Sequence, residues 1–166
     1  MSEYSYPKKD AEFLINQVIG FDELCQTAGL AEVNAELAEA ILEEANRFGT
    51  EVIEPLNVVG DQEGAVVDES GVKETAGFSE AYQQYVENGW GALGFPEEYG
   101  GQGMPNMLGI ISNELGGTAN WSGVMYPGLS HGAVNTVETW GDEDQKQKYL
   151  TKLVSGEWTG TMCLTE

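Results

Sequence analysis

In this 166-residue chain a single stretch carries a convincing period-two pattern, and it is the last one. From Trp158 onward, Trp158, Gly160, Met162 and Leu164 point to one side and Thr159, Thr161, Cys163 and Thr165 to the other, the spacing of a β-strand. Everything before it reads as helix and Gly-rich loop. The expected class is all-α, an orthogonal or up-and-down bundle of five to six helices followed by the first strand of a β region. A lone strand has nowhere to send its backbone N–H and C=O groups. The pattern therefore predicts the amino-terminal part of a larger protein.

Helical periodicity places the other elements. A short helix is expected over Asp10–Ile19, ended by Gly20. A long amphipathic helix follows over Asn34–Leu56, with Leu37, Ile41, Ala45, Phe48, Val52 and Ile53 as its apolar stripe. Gly49 weakens it locally, because glycine costs about 1 kcal/mol relative to alanine. Residues 60–77 read as a surface loop, and Ser79 caps a helix to Asn88. The stretch Gly89–Gly103 is rich in glycine, yet Trp90, Leu93, Phe95 and Tyr99 make it an ordered loop rather than a tether. Pro105 suits the first turn of the next helix, whose stripe is Met107, Leu108, Ile111 and Leu115. Trp121–Thr139 is the most hydrophobic stretch and is expected to be buried on more than one side, with Pro127 kinking it or delaying its start. Trp90, Trp121 and Trp140 are expected in the core, and the single histidine, His131, as a packing residue. Asp142 and Gln145 have capping-box spacing and open a helix to Val154. The chain thus divides into a leading segment (1–33), a helical domain (34–156) and the start of a β region (157–166).

Charge narrows the function. Twenty-eight acidic residues against 7 basic ones give a net charge of −21. Such a surface repels phosphate backbones and anionic lipid, which excludes nucleic acid as a partner. No apolar run is long enough to span a membrane, and the first residues lack the apolar core of a secretory signal. Two distant cysteines, Cys25 and Cys163, suggest neither a disulfide framework nor a metal site, and a reducing cytoplasmic setting is expected. A phosphate-bearing ligand would find few cations here, since Lys146, Lys148 and Lys152 form the one basic cluster.

The run Trp158-Thr159-Gly160-Thr161-Met162-Cys163-Leu164-Thr165-Glu166 resembles the acyl-CoA dehydrogenase family where its helical amino-terminal domain passes into its middle β domain. Three other stretches agree in order and spacing. They are Gly94-Phe95-Pro96-Glu97-Glu98-Tyr99-Gly100-Gly101-Gln102-Gly103, Asn113-Glu114-Leu115, and Gly141-Asp142-Glu143-Asp144-Gln145-Lys146. Met125 to Ala133, with the leading segment Tyr4 to Gly20, is similar to a longer subgroup. The resemblance implies an FAD-dependent enzyme that dehydrogenates an acyl-CoA thioester at its α and β carbons. It implies flavin contacts from Met162, Cys163, Leu164 and Thr165, and acyl contacts from Met125, Tyr126 and Leu129. It further implies an electron-transfer flavoprotein or similar acceptor, and a homodimer or homotetramer. The family's catalytic base is a glutamate beyond these residues, so no catalytic residue is assigned, and Glu166 has no proton-transfer role. The Gly-Ser/Thr-Asp turn that cradles the flavin pyrophosphate in the family is absent. Two alternatives stand beside this reading: an acyl-CoA oxidase-type relative, and a helical interaction module without catalysis.

Overall fold

The computed structural model describes residues 4–163. Its class is the expected helical one. Helix α1 (Lys8–Phe13) continues through a π turn over Leu14–Ile19 and stops at Gly20, whose φ of 65° lies in the left-handed region. Helix α2 (Phe21–Thr27), not foreseen in the sequence, follows at once and buries Phe21 and Cys25 on one face. Helix α3 (Ala35–Phe48) is capped by Asn34, whose side chain accepts from the Leu37 N–H at 2.9 Å.

The long helix expected over 34–56 extends further than its stripe suggested. A π turn over Gly49–Ile53 leads directly into α4 (Pro55–Glu63). Glu54 N–H donates to the Gly49 carbonyl at 2.8 Å, the five-residue step of a π turn. Pro55 has no N–H to return to the preceding turn, and a wide turn ahead of it lets the chain continue. The face that packs is also shifted by a residue. Ala38, Leu42, Ala45, Gly49 and Ile53 are fully buried, while Leu37 is exposed. Small side chains at 38, 45 and 49 let α3 approach α6 (Asn106–Ala119) closely; a Cβ on Gly49 would lie 3.7 Å from that of Ala119.

Where a loop was expected, residues Val66–Asp68 (β1) and Gly71–Lys73 (β2) form a small antiparallel hairpin with Val67 opposite Val72. Helix α5 (Phe78–Glu87) follows, entered through Gly77 rather than capped by Ser79. The Gly89–Gly103 loop is ordered, as its aromatics required. The N–H groups of Gln102, Gly103 and Met104 donate to the carbonyls of Ala92, Phe95 and Leu93 at 2.9–3.0 Å. Gly101 is obligatory there, since a Cβ would sit 1.9 Å from the Phe95 carbonyl oxygen.

Helix α7 (Trp121–Trp140) begins at once despite Pro127, which lies inside it. Its apolar character is not a sign of burial on several sides: Trp121 and Trp140 are 68% and 84% exposed, and only Pro127, Ser130 and Val134 are fully buried. The two tryptophans are therefore surface residues, and Trp90 alone of the three packs against the core. Helix α8 (Glu143–Val154) has the expected capping box, with both Asp142–Gln145 bonds made at 2.8 and 3.0 Å.

One core joins residues 15–33 to α3 and α6 through Ile15, Phe21, Leu42, Leu108 and Leu115. A second joins the Gly-rich loop to α7 and α8 through Phe95, Tyr99, Val134 and Leu150. No helix among the described residues is long and apolar enough to cross a membrane.

The strand expected from Trp158 is not formed over 157–163. Alternation alone cannot make a strand, because a ladder needs a second strand to receive its hydrogen bonds; the one sheet among the described residues is β1–β2. Instead the segment leaves α8 and crosses α7. Leu164, Thr165 and Glu166 lie outside the described residues.

Candidate functional site

Helix α7 separates two surfaces that bear on function. Its inner side closes an apolar cavity with α3, α4, α5 and α6. Phe48, Ile53, Phe78, Ala81, Val124 and Tyr126 form much of its wall, and it encloses about 40 Å³, room for about two water molecules. Glycines bring the walls together. A Cβ on Gly116 would lie 2.8 Å from a Val124 methyl, and one on Gly123 would lie 3.2 Å from an Ile53 methyl.

Three polar atoms interrupt this lining. Tyr85 Oη, Trp90 Nε1 and Ser112 Oγ are buried with no partner among the described residues. Leaving each unpaired costs about 1–3 kcal/mol, a cost that water in the cavity would relieve. Burial, and then the neighbouring Tyr82, push the Tyr85 pKa far above the ordinary phenol value. Its hydroxyl therefore stays neutral and can donate or accept. Tyr126 reaches the cavity while its hydroxyl lies 3.5 Å from Glu74; burial first, and that carboxylate second, raise its pKa as well.

Among the acyl-facing candidates, only Tyr126 lines the cavity. Met125 and Leu129, one turn apart, are exposed on the outer side of α7. His131 packs edge-on against Phe95, with ring centroids 5.4 Å apart, and its Nε2 is buried without a partner among the described residues. Burial lowers its pKa, which favours the neutral ring and suits packing rather than acid catalysis.

The outer surface carries the flavin-facing candidates. Ala133, Val137, Tyr149, Leu153, Trp158 and Gly160 line an open groove between α7, α8 and residues 157–160. Trp158 N–H donates to the Lys152 carbonyl at 3.0 Å, and its indole lies 4.7 Å beneath the Lys152 ammonium. Gly160 N–H donates to Ser130 Oγ at 3.0 Å. Two residues on, Met162 is 66% exposed, with Cys163 exposed beside it. Leu164 and Thr165 lie outside the described residues. The structure thus brings the Leu129 carbonyl and Gly160 side by side on α7. Ser130 and Gly160, which make that junction, were not singled out in the sequence; the one available signal was a residue without a side chain at an inward position of the alternating run.

Comparison with known proteins settles what this helical arrangement is. Residues 35–157 match the family profile described as "Acyl-CoA dehydrogenase, N-terminal domain". The chain belongs to the acyl-CoA dehydrogenase family. It is 37% identical over 163 residues to the 3-methylmercaptopropionyl-CoA dehydrogenase of Ruegeria pomeroyi, covering 98% of this chain and 28% of that protein. Similarity extends to the broad-specificity linear acyl-CoA dehydrogenase FadE5 of Mycobacterium tuberculosis (28% identity over 168 residues, 100% of this chain, 27% of that protein). The butyryl-CoA dehydrogenase of Syntrophomonas wolfei is 27% identical over 167 residues, 98% of this chain and 27% of that protein. The chain therefore spans little more than a quarter of the length of the curated relatives it matches.

Acyl-CoA dehydrogenases work with a flavin, and the residues present fit one part of it. The exposed Met162 offers an apolar surface, and the backbone of 161–163 makes no hydrogen bond to another described backbone group. Both suit the edge of an isoalloxazine ring. They do not suit its pyrophosphate. Lys152, the cation nearest the segment along the chain, is already paired with Glu157 at 2.7 Å.

Proposed function

We propose that this chain forms the amino-terminal part of an FAD-dependent acyl-CoA dehydrogenase acting on an acyl-CoA thioester. When bound, FAD supplies the hydride acceptor for the β hydrogen, while the α proton goes to a base that no residue of this chain provides. The residues here bind and orient. Met162, Cys163, Leu164 and Thr165 would lie against the ring, with Leu129, Met125 and Tyr126 on the acyl side. Electrons leave to an electron-transfer flavoprotein or a similar acceptor, and the working enzyme is a homodimer or homotetramer.

The observation that carries this reading is the family match over 35–157. The test is anaerobic titration of the full-length enzyme with butyryl-CoA, 3-methylmercaptopropionyl-CoA, isovaleryl-CoA and longer linear thioesters. Bleaching of the visible flavin band by at least one of them, with formation of the 2,3-enoyl thioester, is the expected result. A protein that holds no flavin, or whose flavin stays oxidised with every thioester, refutes it.

A further inference from the structure

The junction between α7 and the 158–163 segment has features that ordinary packing does not require. Several helical hydroxyls in this protein turn back on their own helix. Thr50, Thr118 and Thr136 each donate to the carbonyl four residues earlier at 2.8–2.9 Å. Ser130 differs. It is buried in the middle of α7, and its Oγ instead receives the N–H of Gly160, thirty residues away.

Gly160 is constrained as tightly. A Cβ there would lie 2.6 Å from the Ala133 Cβ, 3.2 Å from the Ser130 Cα and 3.4 Å from the Leu129 carbonyl oxygen. Its φ is not in the left-handed region, so close approach rather than conformation demands glycine. The segment therefore rests backbone-to-backbone on one turn of α7, fixed in height by that contact and along the helix by the Ser130 bond. Upstream, the Trp158–Lys152 bond limits its freedom further.

What the junction aligns is informative. Ser130 directly follows Leu129 on the acyl side. Met162 is two residues beyond Gly160, within roughly 7 Å of it along the chain. We infer that Ser130 and Gly160 are positioning residues that fix the flavin-facing segment 161–163 against the acyl-facing residues of α7. This inference rests on the function proposed above.

The magnitude follows from the geometry. A methyl added at Gly160 must move from 2.6 Å to an ordinary carbon–carbon separation of about 3.5–4 Å, which displaces the segment by roughly 1 Å. A misplacement of that size costs on the order of a hundred-fold in rate where it reaches the reacting groups. Removing the Ser130 hydroxyl deletes one hydrogen bond, worth roughly five-fold in an equilibrium that depends on it.

The test uses the full-length enzyme and four readouts: melting temperature, FAD affinity by quenching of free flavin fluorescence, the shape of the visible band, and the rate of flavin reduction by acyl-CoA. Gly160→Ala should weaken FAD binding roughly ten-fold or more and alter the band. Adding Ala133→Gly removes the atom it strikes, so the double variant should recover FAD affinity and band shape relative to the Ala133→Gly background. Ser130→Ala should bind FAD about five-fold more weakly, and Ser130→Thr, which keeps the oxygen, should lie closer to the wild type. If Gly160→Ala does not fold, the Ser130 pair decides. The inference is overturned if Gly160→Ala or Ser130→Ala keeps wild-type affinity and spectrum, or if melting temperature falls while neither flavin readout moves. It is equally overturned if Ala133→Gly restores nothing. A wild-type protein that binds no FAD refutes the function reading itself, and the positional role with it.

Discussion

Asn120 is 1% exposed and makes two bonds that tie separate parts of the helical domain together. Its Oδ1 accepts from the Gly123 N–H at 3.3 Å, capping α7, and its Nδ2 donates to the Ile53 carbonyl at 3.2 Å, at the end of the π turn. Asn120→Ala removes a cap, at about 1 kcal/mol, and orphans a buried carbonyl, at about 1–3 kcal/mol. The sum is about 2–4 kcal/mol, which for a chain of this size lowers the melting temperature by roughly 5–15 °C. Asn120→Asp separates the two contributions. The carboxylate still caps α7 but has no proton for Ile53, so its folded-state pKa is raised by burial and by that carbonyl. A group with a raised pKa stabilises the fold when protonated and loses that contribution as pH rises. The aspartate variant should thus approach wild type in acid and fall away toward neutrality, while the alanine deficit stays constant. Thermal and urea denaturation followed by far-UV circular dichroism give both numbers. An alanine variant within ~0.5 kcal/mol of wild type would show that Asn120 does not join the π turn to α7.

Two further outcomes follow from the same packing. Gly101→Ala places a methyl where the Phe95 carbonyl oxygen already sits; we expect a loss of at least about 3 kcal/mol by urea titration, and a wild-type midpoint would mean the loop bonds are not as described. His131 is held below its ordinary pKa by burial, so the unfolded chain binds a proton more readily and stability falls as pH drops below about 6.5. His131→Gln lacks that titration, so the difference between its melting temperature and that of wild type should change between neutral and mildly acid solution; a constant difference would refute it.

Elements with local chemical signals were legible before the structure. The Asp142–Gln145 box announced α8, Gly20 announced the end of the first helix, and aromatics among the glycines of 89–103 announced an ordered loop. The hairpin was not, because all six of its residues are exposed and no burial pattern distinguishes one face from the other. The π turn was also invisible, being a change in hydrogen-bond step rather than in composition. Helix α7 misled most. Apolar residues were read as core, yet Trp121, Met125, Leu129 and Trp140 all lie on its outer side, and hydrophobicity alone does not say what covers it. At the candidate site, residue types could nominate Met162 and Leu129, but the contact that ties the segment to α7, at Gly160 and Ser130, is a distance between two backbones thirty residues apart.

The two connections that flank α5 differ in what they tolerate. Between Ala92 and Met104 three main-chain bonds interlock within a dozen positions, so adding or deleting even a single residue there would scramble every partner. The hairpin tip at Glu69 and Ser70 has no such obligation and points into solvent. A fluorophore, an affinity peptide or a genetic insertion grafted at that tip would report on the molecule without disturbing it, whereas the same graft beside Gly101 would erase what it was meant to observe.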